Sequence, residues 1–205
     1  IAEKFASQNT DCIITGRRAE KLHTIAENFQ TVFGVKILPL VFDVRNREEV
    51  FEAVKNLPAG WQHIDVLVNN AGLALGRESF EKASMDDWDI MFDTNVKGLL
   101  NVSRAIIPLM IKNKNGHIIN IGSTAAKEVY PNGNIYCATK HSVDAISKAQ
   151  RIDLLSHHIK VTAIHPGAAE TEFSIVRFKG DEEKAKSVYQ GYEPLHAEDI
   201  AEICY

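Results

Sequence analysis

His117-Ile118-Ile119-Asn120-Ile121-Gly122-Ser123-Thr124 decides the reading of the fold. Its first part is a short isoleucine-rich run, as expected of a strand covered on both faces. It stops abruptly at glycine and two small hydroxylated residues, which let a ligand come close to the backbone. Working outward, the same pattern recurs at residues 12–15, 36–42, 64–68 and 160–164. Between these strands lie segments of helical period at about 18–33, 47–56, 86–113 and 134–156, a looser stretch after Pro166, and a last helix from about Ala197. Alternating strand and helix with no repeat or linker is βαβ grammar, and it predicts an α/β fold built on a parallel sheet.

Composition sets the bounds. The chain has 205 residues, 45% hydrophobic and 24% charged, an ordinary globular balance. At roughly 150 residues per domain, with α/β domains often larger, the expectation is a single domain over 1–205. Lys and Arg number 23 against 27 Asp and Glu, a net charge of −4, which argues against nucleic acid or an anionic membrane as partner. Cys12, Cys137 and Cys204 are odd in number and far apart, which fits a reducing cytoplasm, and neither they nor the histidines stand at metal-ligand spacing. No metal is therefore expected. The longest apolar run, residues 105–111, is too short for a membrane span, and no signal peptide is recognised.

The helix at 86–113 is apolar almost all round between Leu99 and Ile111. Its second apolar face meets either a partner subunit or the core. Pro108 should bend or end it near its last turns.

In open parallel sheets, ligands bind beyond the carboxyl ends of the strands. The residues there are Gly16-Arg17-Arg18, Asp43-Val44, Asn69-Asn70-Ala71-Gly72, Gly122-Ser123-Thr124 and His165-Pro166-Gly167. Tyr136 and Lys140 stand four apart at a helix start and so share a face. A neighbouring ammonium favours phenolate, which would bring the tyrosine toward proton exchange with an alcohol or ketone. Ser123 can hydrogen-bond the same substrate oxygen. Tyr130 has Asn134 four residues on and no such cation, so it reads as a substrate-pocket wall or as packing.

With Asn-Asn-Ala-Gly, Asn95, Ser123, Tyr136 and Lys140 in this order, the sequence resembles the short-chain dehydrogenase/reductase family over essentially its whole length. The resemblance implies a doubly wound Rossmann-type sheet, with Ser123 polarising the carbonyl and Tyr136 as acid/base. It gives Lys140 two tasks, lowering the tyrosine pKa and holding the nicotinamide ribose, and has Asn95 position a relay water beside the lysine. It also implies cofactor contacts at Asp43 and Val44, at Asn70, Ala71 and Gly72, and at Pro166, Gly167 and Thr171. Arg17 and Arg18 suit a 2′-phosphate, hence NADP over NAD, with a solvated helix start as the plain alternative.

Residues 70–76, 119–125 and 171–181 look like the NADP-dependent 3-hydroxy acid dehydrogenases acting on serine and allo-threonine. In that branch Arg177 becomes the candidate for the substrate carboxylate, the alternative being a salt bridge within its own segment. Other readings are a reductase for a bulkier carbonyl (3-oxoacyl thioester, sugar or pterin), with the choice made in residues 166–192, or a non-catalytic nucleotide sensor. A homotetramer, or at least a dimer, is expected through helices 99–111 and 134–156. The family's first strand and its Gly-x-x-x-Gly-x-Gly turn are not found, nor is its last strand, so the fold is expected to be incomplete at both ends. The first strand would lie between the strands at Cys12 and Ile64.

Overall fold

A computed structural model describes residues 1–191 and 193–205; Tyr192, at the end of the segment expected to choose the substrate, lies outside them. The chain opens on helix α1 (Ala2–Ser7) and enters β1 (Cys12–Gly16). Helix α2 (Ala19–Phe33) ends at Gly34, whose φ of 70° is the left-handed cap that glycine adopts without strain. Strand β2 (Ile37–Val41) follows, then α3 (Arg47–Lys55), which starts where the Asn46 side chain accepts from the amides of Glu48 and Glu49. After β3 (Val66–Asn69) come α4 (Met85–Phe92), capped by Ser84, a π-helical turn at Asp93–Gly98, and α5 (Leu99–Asn113). Strand β4 (Gly116–Ile121), α6 (Asn134–Asp153) and β5 (Ile159–Ile164) complete the central part. The rest is β6 (Ala169–Glu170), α7 (Glu172–Arg177), α8 (Glu182–Ser187), β7 (Leu195–His196) and α9 (Ala197–Cys204).

Every ladder among the described residues is parallel. β1 pairs with β2, β4 lies between β3 and β5, and β6 pairs with β7. No ladder joins β1 to β3 among the described residues. Helices cover both faces of β4. Ile118 packs with Ile106 and Met110 of α5, while its neighbour Ile119 packs with Ile200 and Cys204 of α9. Asn120 is the polar exception in this strand. Fully buried, it accepts from Asn69 Nδ2 (2.8 Å) and donates to Ser147 Oγ and Gln150 Oε1 (both 2.9 Å), so β3, β4 and α6 are fixed together below the strand ends.

Three expectations change. The helix read at 86–113 is two helices joined by the π turn, because a single inserted residue leaves the apolar period almost intact. α5 continues past Pro108 to Asn113, and α6 stops at Asp153, with a 3₁₀ turn at Leu155–His157. Much of the all-round apolar surface of α5 is covered within the chain: Ala105 packs on Val50 and Phe42, behind the face that meets β4. Leu100 remains 43% exposed.

Candidate active site at the strand ends

Beyond the C-terminal ends of the strands lies a cavity of about 970 Å³, near the upper end for small-molecule sites. Ser123, Tyr136, Lys140 and Arg177 all line it. Ser123 follows β4 directly, and its hydroxyl accepts from the Ala125 amide at 3.1 Å. The loop is held from behind by His165, whose Nδ1 lies 3.1 Å from the Ser123 carbonyl oxygen and whose Nε2 lies 3.2 Å from Asp144. Gly122 is required here, since a side chain would run into the His165 ring. Asp144 is held well below the usual carboxylate range, chiefly by hydrogen bonds from Lys148 and Lys127.

Tyr136 and Lys140 are both buried on α6. Burial pushes the phenol up to about 12, against the opposing pull of the Ser123 hydroxyl and the Arg177 charge. Burial likewise pulls the Lys140 ammonium down to about 8. Lys140 Nζ donates to the Ile121 carbonyl (2.9 Å) and stands 5.9 Å from the centre of the Tyr136 ring. The Arg177 charge favours ionisation of the phenol, by less than burial opposes it.

Asn95 sits in the π turn, almost fully buried, and grips the backbone of Leu73: Oδ1 accepts from its amide (2.8 Å) and Nδ2 donates to its carbonyl (2.7 Å). Its other Nδ2 hydrogen goes to Thr139 (3.0 Å), which leaves a lone pair of Oδ1 for any relay. Neighbouring Gly72 packs close, since a Cβ there would stand 3.3 Å from Asn95 Oδ1 and 3.4 Å from Lys140 Nζ.

The expected cofactor contacts divide. Arg18, Asn70, Gly72, Pro166, Gly167 and Thr171 line the cavity. Among the described residues Arg17, Asp43, Val44 and Ala71 are not part of its wall, nor is Asn95, expected to position the relay water. Asp43 is bound by Arg45, which donates to it through Nε and a terminal nitrogen (2.6 Å) and holds the carboxyl below its usual range; Arg17 is farther away at 3.8 Å. Val44 packs against Gly98, and its carbonyl accepts from Asn101. Arg18 is solvent-exposed and pairs with Glu172 of α7 at 3.1 Å. Thr171 caps α7 through its hydroxyl.

Arg177 is 8% exposed. Its Nε donates to the Gly76 carbonyl and a terminal nitrogen to the Tyr130 hydroxyl, each at 3.0 Å. It makes no ion pair with a carboxylate among the described residues, so the alternative of a salt bridge within its segment is overturned. Tyr130 lines the same cavity, as a pocket wall should. Of the charged residues in the wall, Arg18, Arg77, Lys140 and Arg177 are cations and only Glu172 is an acid. A cationic hollow in a chain of net charge −4 is suited to anionic ligands.

Known short chain dehydrogenases share a sequence profile that matches residues 1–182. The chain belongs to this family. It is 48% identical over 206 aligned residues to the NADP-dependent 3-hydroxy acid dehydrogenase of Salmonella typhi, covering 100% of this chain and 82% of that one. The protein of that description from Schizosaccharomyces pombe is 39% identical over 93% of this chain and 74% of its own. Among solved structures, a serine dehydrogenase in its closed form with NADP+ superposes with a TM-score of 0.92 at 46% identity, over 98% of this chain and 80% of that one.

Within this family's fold, sequence reasoning missed Arg45 and Glu172, because exposed ion pairs between distant segments leave no mark in local pattern. It also missed the His165–Asp144 support behind Ser123. The His165 position at a strand end was the available signal. Among the described residues no group of three His, Cys, Asp or Glu side chains could hold a metal, and no helix is long and apolar enough to cross a membrane.

Proposed function

We propose that this chain is an NADP-dependent oxidoreductase that interconverts small 3-hydroxy acids, of the serine, allo-threonine and 3-hydroxyisobutyrate type, with the matching semialdehydes or 3-oxo acids. The observation that carries the reading is the buried guanidinium of Arg177, without an acidic partner among the described residues, in the cavity wall that also holds Ser123, Tyr136 and Lys140. A cation taken out of water needs an anion, and a substrate carboxylate supplies one. The names of the relatives support the same substrate class.

The residues fit a dinucleotide. Gly72 lines the cavity close to Lys140 and Asn95, so the backbone itself forms that part of the wall. Arg18, Asn70, Gly72, Tyr136, Lys140, Pro166, Gly167 and Thr171 would hold NADP, with Arg17 near the 2′-phosphate and Asp43, Val44 and Ala71 behind them. When bound, NADP supplies the hydride acceptor or donor. The protein's own part is proton chemistry and positioning. Ser123 donates a hydrogen bond to the substrate oxygen, Tyr136 takes or returns that oxygen's proton, and Lys140 supplies positive charge beneath them. Asn95 keeps the turn against the lysine, and Arg177 fixes the carboxylate so that the carbinol carbon is presented in one orientation.

The reading extends to one dinucleotide-binding domain over residues 1–205, a cytoplasmic setting, a homotetramer through α5 and α6, and no nucleic-acid or membrane partner. Exposed Leu100, Ile152 and Leu155 on or beside those helices support the assembly. A kinetic panel tests the function: NADP against NAD, with serine, allo-threonine and 3-hydroxyisobutyrate. Turnover with NADP on these acids is expected. Turnover confined to a 3-oxoacyl thioester, a sugar or a pterin would overturn the substrate assignment.

A further inference from the structure

The sequence makes Tyr130 a pocket wall or packing, yet its surroundings go further. Gly133, at the start of α6, lets the Tyr130 ring lie close; a Cβ there would collide with it. The Tyr130 hydroxyl accepts from an Arg177 terminal nitrogen at 3.0 Å, and the guanidinium carbon stands 5.7 Å from the centres of both the Tyr130 and Tyr136 rings. With Nε committed to Gly76, three of the guanidinium's five N–H groups stay free. A phenol that accepts from a cation must turn its own hydrogen elsewhere, and no acceptor for it is present among the described residues. Both groups line the cavity that holds Ser123 and Tyr136.

We infer that Tyr130 and Arg177 together form the carboxylate subsite, with the Tyr130 hydroxyl donating to the same carboxylate that Arg177 binds. The inference rests on the reading of Arg177 given above and adds a second substrate contact, from a different segment of the chain. Tyr130 also acts as a positioning residue: its oxygen holds the guanidinium plane, so the bound carboxylate lies at a set distance from Tyr136. A substrate without an acid group leaves both donors unpaired, which gives selectivity for hydroxy acids over plain alcohols.

The test is Tyr130→Phe, which keeps the ring and removes only the hydroxyl. With 3-hydroxyisobutyrate as substrate, KM should rise about 10- to 100-fold, the effect of one lost hydrogen bond to a charged group, while kcat stays within about threefold. Isobutyrate carries the carboxylate but no reacting hydroxyl, and its inhibition constant should weaken by the same factor. Unchanged KM and inhibition constant in Tyr130→Phe, with both raised in Arg177→Met, would overturn the role of Tyr130 and leave that of Arg177 standing. No change in either variant would overturn the carboxylate reading itself. A fall in kcat as large as the rise in KM would show distortion of the pocket and overturn the inference.

Discussion

Replacing Arg177 by methionine separates two roles that a buried guanidinium can play. As a structural brace, it would stabilise the fold through its bonds to Gly76 and Tyr130. As a ligand-binding group, it would burden the empty fold and act only when an anion arrives. Losing two hydrogen bonds from a charged group costs about 1.5–3 kcal/mol each, but methionine also removes a desolvated charge without a counter-ion, a penalty of several kcal/mol in general. The two nearly cancel, so thermal unfolding of Arg177→Met should show stability unchanged within about 1 kcal/mol, or raised. Substrate binding moves the other way. A two-pronged contact with a carboxylate, at about 1.5–3 kcal/mol per charge-assisted hydrogen bond, predicts a loss of at least 100-fold in kcat/KM for 3-hydroxyisobutyrate. Steady-state kinetics and calorimetric melting on the same preparation give both numbers. A variant that loses more than about 3 kcal/mol of stability while keeping its KM would refute the reasoning and make Arg177 a brace.

Tyr136→Phe should remove nearly all turnover while NADP affinity, followed by fluorescence titration, is kept; retention of a tenth of the rate would contradict the proton role. Lys140 has its folded pKa lowered from 10.5 to about 8, so folding pays a charge penalty that is complete below about pH 8 and disappears as pH rises toward 10.5. Lys140→Met should therefore raise the melting temperature at pH 7, raise it less at pH 10, and abolish activity; an equal shift at both pH values would deny the burial effect. Replacing Arg17 and Arg18 with neutral residues should weaken NADP by about 1.5–3 kcal/mol per lost charged hydrogen bond, with NAD affected little. Glu172→Gln, which frees Arg18 from its ion pair, should strengthen NADP binding, and direct titration of both cofactors checks each result.

What could be read in the sequence, and what could not, follows from where the stabilising contacts lie. The strands were legible because burial on both faces forces apolar runs: residues 117–121 became Gly116–Ile121, and 160–164 became Ile159–Ile164. Residues 64–68 shifted to Val66–Asn69 because the strand's end is set by pairing with His117 through Asn120, not by hydropathy. The two-residue ladder of β6 with β7 and the π turn at Asp93–Gly98 rest on contacts between distant segments and had no local signature. Ser123, Tyr136 and Lys140 all line one cavity, but the contacts that hold them there leave no mark in local pattern. Spacing of four residues puts Lys140 beside Tyr136 on α6, and only the structure shows that one of its three ammonium hydrogens goes to the Ile121 carbonyl at the strand end. Arg177 makes the same point in reverse. Its neighbours in sequence, Val176 and Phe178, suggest only a short amphipathic turn, and a sequence cannot reveal that a cation lacks a carboxylate in three dimensions. That missing counter-charge, together with the desolvated ammonium of Lys140, means the fold carries two buried cations unneutralised by any acid among the described residues. Both are held by protein acceptors, Lys140 by the Ile121 carbonyl and Arg177 by Gly76 and Tyr130, so an anion that binds beside them would add to the stability of the fold.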